Sequence, residues 1–243
     1  MNIFHNGLLV ELMKEFNISN SSTEFYLLTL GFAILAVAVS YLLGSLSSAI
    51  IVSRALYKED IRTHGSGNAG LTNMLRTYGK TGAALTLVGD MAKTAIAILF
   101  TALLFGFSYK NGISTSGFCY LSGLCAVLGH VYPVFYGFKG GKGVLVTATM
   151  ALILTPAVFA VLIALFIIIV AITGYVSLGS IIVASLFPFA VCLYSYFLGG
   201  SIPILTAICS FFLAAFIVWC HRSNIERLKA GTEKKISIGK KKD

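Results

Sequence analysis

The chain has 243 residues, 57% of them hydrophobic and 11% charged, with a mean hydropathy of +0.90 and a formal net charge of +9. Such apolarity excludes an ordinary soluble domain and makes a single membrane domain the default. The basic residues sit in short loops and a tail between apolar runs, without aromatic interleaving on a soluble face, so the charge reads as topology signals and anion contacts rather than as a nucleic-acid surface.

In chain order, residues 1–25 come first. They carry Glu11, Glu15 and Glu24 against Lys14 and lack a basic leader region, so they read as a short amphipathic extension and not as a cleaved signal peptide. Apolar runs long enough for membrane helices follow at about 26–52, 81–107, 116–138, 143–155, 157–173, 177–198 and 203–220. Residues 143–173 also fit one long tilted helix, which would make six spans, because Pro156 alone does not exclude it. Charge favours seven. An odd number puts the tail on the same side as the loop 53–80, and with Lys139 and Lys142 that side holds 15 of the 18 Lys and Arg residues. The positive-inside rule then places the N-terminus outside and the C-terminus in the cytoplasm. Cys119, Cys125, Cys192, Cys209 and Cys220 lie in or beside the apolar runs without CxxC spacing and read as small buried hydrophobes.

Four polar segments interrupt the apolar pattern. The loop 60–80, DIRTHGSGNAGLTNMLRTYGK, contains the spacing GxGxxG, but a charged turn precedes it where a dinucleotide fold needs a buried strand. Its chemistry is that of a general anion cradle. Glycines let backbone N–H groups face an anion, Ser66, Asn68, Thr72 and Asn73 add donors, and Arg76 supplies a forked cation. Asp90 and Lys93, three residues apart in an apolar helix, are spaced to pair, and an ion pair facing the bundle interior is the placement that costs least. The third segment, GHVYPVFYGFKGGKG at 129–143, departs from a phosphate-binding Walker loop at Tyr136 and Gly143. Lys139 and Lys142 around two glycines still form a compact positive nest before a helix N-terminus, and His130 inside the preceding span reads as a hydrogen-bonded core histidine. The last segment, HRSNIERLKAGTEKK at 221–235, puts His221 and Asn224 on one helix face, whereas His221 and Glu226, five residues apart, point to different faces.

Together, GSLSSA at 44–49, GSGNAGLTNMLR, GDMAK, GHVYPVFYGFKGGKGV, YVSLGS at 175–180 and HRSNIERLKAGTE resemble the PlsY family, bacterial membrane acyl-phosphate:glycerol-3-phosphate acyltransferases. The resemblance covers nearly all of the chain except the first 25 residues and the lysine tail. Ser47, Leu71 and Gly174 depart from the residues usual in that family, which are proline, alanine and often arginine. It implies an all-α polytopic bundle with an extension at 1–25, an acyltransferase domain at 26–220 and a basic cytoplasmic tail at 221–243. The implied reaction moves a fatty acyl group from acyl phosphate to the sn-1 hydroxyl of glycerol 3-phosphate, giving lysophosphatidic acid and phosphate, the first step of bacterial phospholipid synthesis, at the cytoplasmic face of the inner membrane. The implied partners are those two substrates and membrane lipids, without nucleic acid. An acyl phosphate is already activated, so the resemblance calls for no metal, cofactor or nucleophile elbow. Carried over by motif, Ser66, Asn68 and Arg76 hold phosphate from the first loop, with Thr72 and Asn73 beside them. Lys139, Gly140, Gly141, Lys142 and Gly143 hold phosphate from the second, and Ser177, His221 and Asn224 complete the pocket.

Overall fold

In the computed structural model, residues 3–106, 109–110, 113–114 and 117–236 are described. Lys240, Lys241 and Lys242, and residues 107 and 116 that bound two of the expected spans, lie outside them. The amino-terminal extension is a helix, α1 (Ile3–Glu15), which docks on the far end of the bundle. Gly7, at φ 80°, lies so close to the backbone of Phe105 and Gly106 that a Cβ there would overlap both.

The expected first span is two helices. α2 (Thr23–Gly44) starts on Ser22, whose Oγ accepts from Phe25 N at 3.2 Å, as a side-chain N-cap does. It stops at Ser45, and α3 (Ser48–Tyr57) follows before the chain turns through Lys58 at φ 60°. The next helix, α4 (Leu71–Phe105), begins about ten residues before its expected start and bends at Gly79, where φ is 73°. Its first turns therefore belong to the polar loop and its remainder to the apolar bundle.

A two-residue ladder, β1 (Tyr109–Lys110) with β2 (Ile113–Ser114), leads into α5 (Gly117–Val131). Beyond Pro133 the strap 137–143 folds back onto the end of α5, with Gly140 N donating to Val131 O and Gly141 N to His130 O, each at 3.1 Å. Then come α6 (Val144–Leu154), α7 (Pro156–Thr173), α8 (Val176–Gly199), α9 (Ile204–Cys220) and α10 (Arg222–Lys229), the last bent 54° from α9 at His221.

Residues 143–173 thus form two helices, broken at Thr155 with Pro156 as the first residue of α7, the position where proline costs a helix nothing. All seven expected apolar segments are helical, but they are unequal. Among the described residues, five helical stretches are long and apolar enough to cross a membrane, α2 with α3 counting as one, and the bent pair of α9 and α10 makes a sixth candidate. Helix α6, with 11 residues, reaches only about 16 Å, half of a hydrocarbon core.

The packed centre joins α4, α5, α6, α8 and α9 through Ile98, Tyr120, Val127, Met150, Leu154, Val191 and Leu213, all fully buried. Small residues bring α2 and α5 together: Gly44 meets the backbone of Ala126, and Gly129 that of Tyr41 and Ser45. Helix α7 is the opposite case. Only Val158 is buried along its length, and Ile167, Ile168 and Ile172 are exposed, as on a lipid-facing helix. The five cysteines are free thiols, three of them buried, in keeping with their reading as hydrophobes.

Candidate active site

All four polar segments converge at one end of the bundle. The first loop is shaped from within by Asn73, which is almost fully buried. Its Nδ2 faces the carbonyls of Ile61, His64 and Asn68 at 3.0–3.3 Å, and its Oδ1 accepts from Ser66 N at 3.0 Å. With its amide committed to the loop, Asn73 shapes the cradle while also lining the cavity. Asp60 braces the same loop from outside. Hydrogen bonds from Arg62, resisted by partial burial, hold its carboxyl well below the usual carboxylate range. Arg62 also donates to Tyr136 O at 2.7 Å, fastening the first loop to the strap.

The strap divides the two lysines. Lys142 lines the cavity, half-buried, and its ammonium donates to Asn224 Oδ1. Lys139 is exposed and absent from the cavity wall, and its carbonyl accepts from Arg62 at 3.4 Å. Gly140 and Gly141 likewise serve the strap: Gly140 O accepts from Ala69 N, and a Cβ on Gly141 would overlap the His130 ring. Of that segment, Lys142 and Gly143 reach the site, while Lys139, Gly140 and Gly141 do not. Gly143 at φ 82° makes the turn that starts α6 at the cavity wall, a conformation costly for a residue with a Cβ.

The carboxy-terminal segment closes the ring. His221, 3% exposed, sets its Nδ1 at 2.7 Å from Ile217 O, so Nδ1 carries the proton and Nε2 is the acceptor. Burial, with Lys142 nearby, lowers its pKa to about 4. Glu233 draws three donors: Ser177 Oγ, Asn224 Nδ2 and Arg227 Nε, each at 2.7 Å. Burial opposes its ionisation, but those hydrogen bonds outweigh it and hold the carboxyl below its ordinary value. Ser177 Oγ is thereby turned toward Glu233 at the cavity wall. Burial, reinforced by Arg227, lowers the Lys142 ammonium to about 8.

Deeper in the bundle, the expected Asp90–Lys93 pair forms at 2.8 Å. Lys93 Nζ also donates to Leu46 O at 2.8 Å, where α2 breaks from α3, and lies 3.0 Å from His130 Nδ1. His130 is therefore the bonded core histidine that its position suggests.

These groups surround one cavity of about 780 Å³. Its polar wall carries Ser66, Asn68, Thr72, Arg76, Lys142, Ser177, His221, Asn224, Arg227 and Glu233, Asp90 and His130 also reach it, and an apolar arm extends between α6, α7 and α8. Sequence reasoning missed Arg227 and Glu233. Both lie in the last polar segment, where Glu233 is one of two Glu residues in a basic stretch. It also named no residue of the apolar arm, because small and aromatic residues facing a groove carry the same pattern as those facing lipid.

The family model for glycerol-3-phosphate acyltransferase matches residues 34–231. A glycerol-3-phosphate acyltransferase of Clostridioides difficile (strain 630) is 41% identical over 210 residues, covering 86% of this chain and 97% of that protein. One from Halalkalibacterium halodurans is 40% identical over 211 residues, with the same coverage of each chain. The crystal structure of PlsY, an integral membrane glycerol 3-phosphate acyltransferase in its glycerol 3-phosphate form, superposes with a TM-score of 0.71 at 33% identity, covering 84% of this chain and 96% of that one. The chain belongs to the PlsY family of integral membrane glycerol-3-phosphate acyltransferases.

Proposed function

We propose that the protein transfers a fatty acyl group from acyl phosphate to the sn-1 hydroxyl of glycerol 3-phosphate, at the cytoplasmic face of a bacterial inner membrane. The observation that carries this reading is the union, in one cavity, of a cationic rim and an apolar arm within the bundle. Two phosphates and one tail are what such a cavity suits. Arg76 offers a planar fork for phosphate oxygens, Lys142 a point charge, and Ser66, Asn68 and Thr72 neutral donors beside them.

The substrate hydroxyl attacks the acyl carbonyl carbon, the carbon–oxygen bond to phosphate breaks, and phosphate leaves. Cations fixed around the leaving phosphate stabilise the charge it gains, an effect that removing one such donor typically weakens by about 10²–10³-fold. A histidine with a pKa of about 4 is a weak base at neutral pH. His221 Nε2 instead accepts a hydrogen bond from the attacking hydroxyl and orients it, and the proton passes to an oxygen of the departing phosphate. This substrate-assisted route needs neither metal nor cofactor.

The orientation with N-terminus out and C-terminus in is supported by Arg54, Lys58, Arg62, Arg76, Lys142 and Arg227 all lying at the end where the polar segments meet. Incubating purified protein with acyl phosphate and glycerol 3-phosphate, with acyl-CoA in parallel, tests the donor and product together. Lysophosphatidic acid is expected from the acyl phosphate alone, and its formation only from acyl-CoA would overturn the proposal.

A further inference from the structure

The apolar arm has a bottom. Three helices begin or end at the rim, at Gly143 for α6, Gly174 for α7 and Val176 for α8, and each supplies wall residues to a definite depth. The deepest are Ala151 on α6, Phe159 on α7 and Phe187 on α8. Immediately beyond them stand Leu154, Val158 and Val191, members of the packed core that are 0%, 5% and 0% exposed. Ala151 and Phe187 belong to that core while also facing the cavity, at 4% and 3% exposure.

At 1.5 Å per helical residue, Ala151 lies about 12 Å from the rim along α6, Phe187 about 16 Å along α8 and Phe159 about 22 Å along α7. An extended alkyl chain with bonds near 1.5 Å advances about 1.25 Å per carbon, so Ala151 and Phe187 stand about 10 and about 13 carbons from the rim and Phe159 about 18.

We infer that Ala151 and Phe187 form the floor that sets the longest acyl chain the enzyme accepts. This rests on the proposal that the arm takes the acyl group of the donor. The donor's tail comes from a bilayer whose interior is as apolar as the arm, so burial alone discriminates little between lengths. The limit is steric: a tail longer than the arm must fold back or displace close-packed side chains.

The test is a competition among decanoyl, dodecanoyl, tetradecanoyl, hexadecanoyl and octadecanoyl phosphates with glycerol 3-phosphate, products resolved by mass. It compares the wild type with Ala151→Phe and Phe187→Ala, and with the milder Ala151→Leu and Phe187→Leu. Raising the floor should cut use of the longest accepted donors about tenfold relative to decanoyl phosphate, and lowering it should admit longer ones. Variants that make product with an unchanged length profile would overturn the floor. So would loss of activity with every donor in all four variants, since a floor leaves short chains untouched. No lysophosphatidic acid from any donor with wild-type protein would instead overturn the proposed reaction, and the floor with it.

Discussion

The bundle contains two buried polar clusters that use similar groups to opposite ends. Around Lys93, one carboxylate, one carbonyl and one imidazole nitrogen account for all three ammonium protons, and the charges of Asp90 and Lys93 cancel. Around Lys142, by contrast, Arg76, Arg227, Lys142 and Lys234 share the cavity with Glu233 and Asp90, leaving an excess of positive charge facing open space. The first cluster is balanced in charge and fixes α4 against α5 and the α2–α3 break, although Asp90 and His130 also line the cavity. The second is unbalanced, and an anion is its proposed complement. Composition alone does not separate a scaffold from a site; the balance of charge does.

The largest effect should come from breaking the closed cluster. Lys93→Met leaves the Asp90 charge buried without its partner, and thermal unfolding in detergent should show a loss of about 3–5 kcal/mol, with much of it regained when Asp90→Asn is added. Full activity per folded molecule in that double variant would mark the cluster as purely structural.

The open cluster should respond in the other currency, rate. Lys142→Ala should lower kcat/KM by about 10²–10³-fold while the unfolding midpoint stays near wild type. Lys139→Ala, exposed and outside the cavity, should change it by less than about threefold, within the range of ordinary surface substitutions. Arg76→Lys keeps the charge but loses the fork, and KM for glycerol 3-phosphate should rise by about tenfold.

Two pH effects sharpen the contrast further. Lys142 is a cation below about 8, so anion affinity should fall as pH rises through that value, and Lys142→Arg should flatten this limb. His221 is neutral from its pKa of about 4 upward, so kcat should show no acidic limb between pH 6 and 7. A limb there that vanishes in a still-active His221→Gln variant would make His221 the general base. The smallest effect is expected at Gly174, at φ 77° with the Lys235 side chain packed on it. Gly174→Ala should cost about 1–2 kcal/mol of stability with little change in rate.

Much of this protein was legible from its residues in order. The seven apolar runs fall on α2 to α9 because a helix in lipid must be predominantly apolar, a constraint local to each segment. Three-residue spacing placed Asp90 with Lys93 within α4, and His221 at the start of α10 with Asn224 on the cavity wall, because both relations are local in sequence. The division of labour within each motif was not local. Asn73 and Arg76 share a polar segment, and Lys139 and Lys142 a strap, yet Asn73 is spent on the loop's own hydrogen bonds while Arg76 lines the cavity, and Lys139 stays outside while Lys142 enters. Which does which depends on where a backbone turn aims each side chain, and on what the neighbouring segment offers it. Glu233 meets Ser177 across 56 residues of sequence, and α6 stops halfway through the bundle; only the packed structure fixes either, because both arise between helices and not along one.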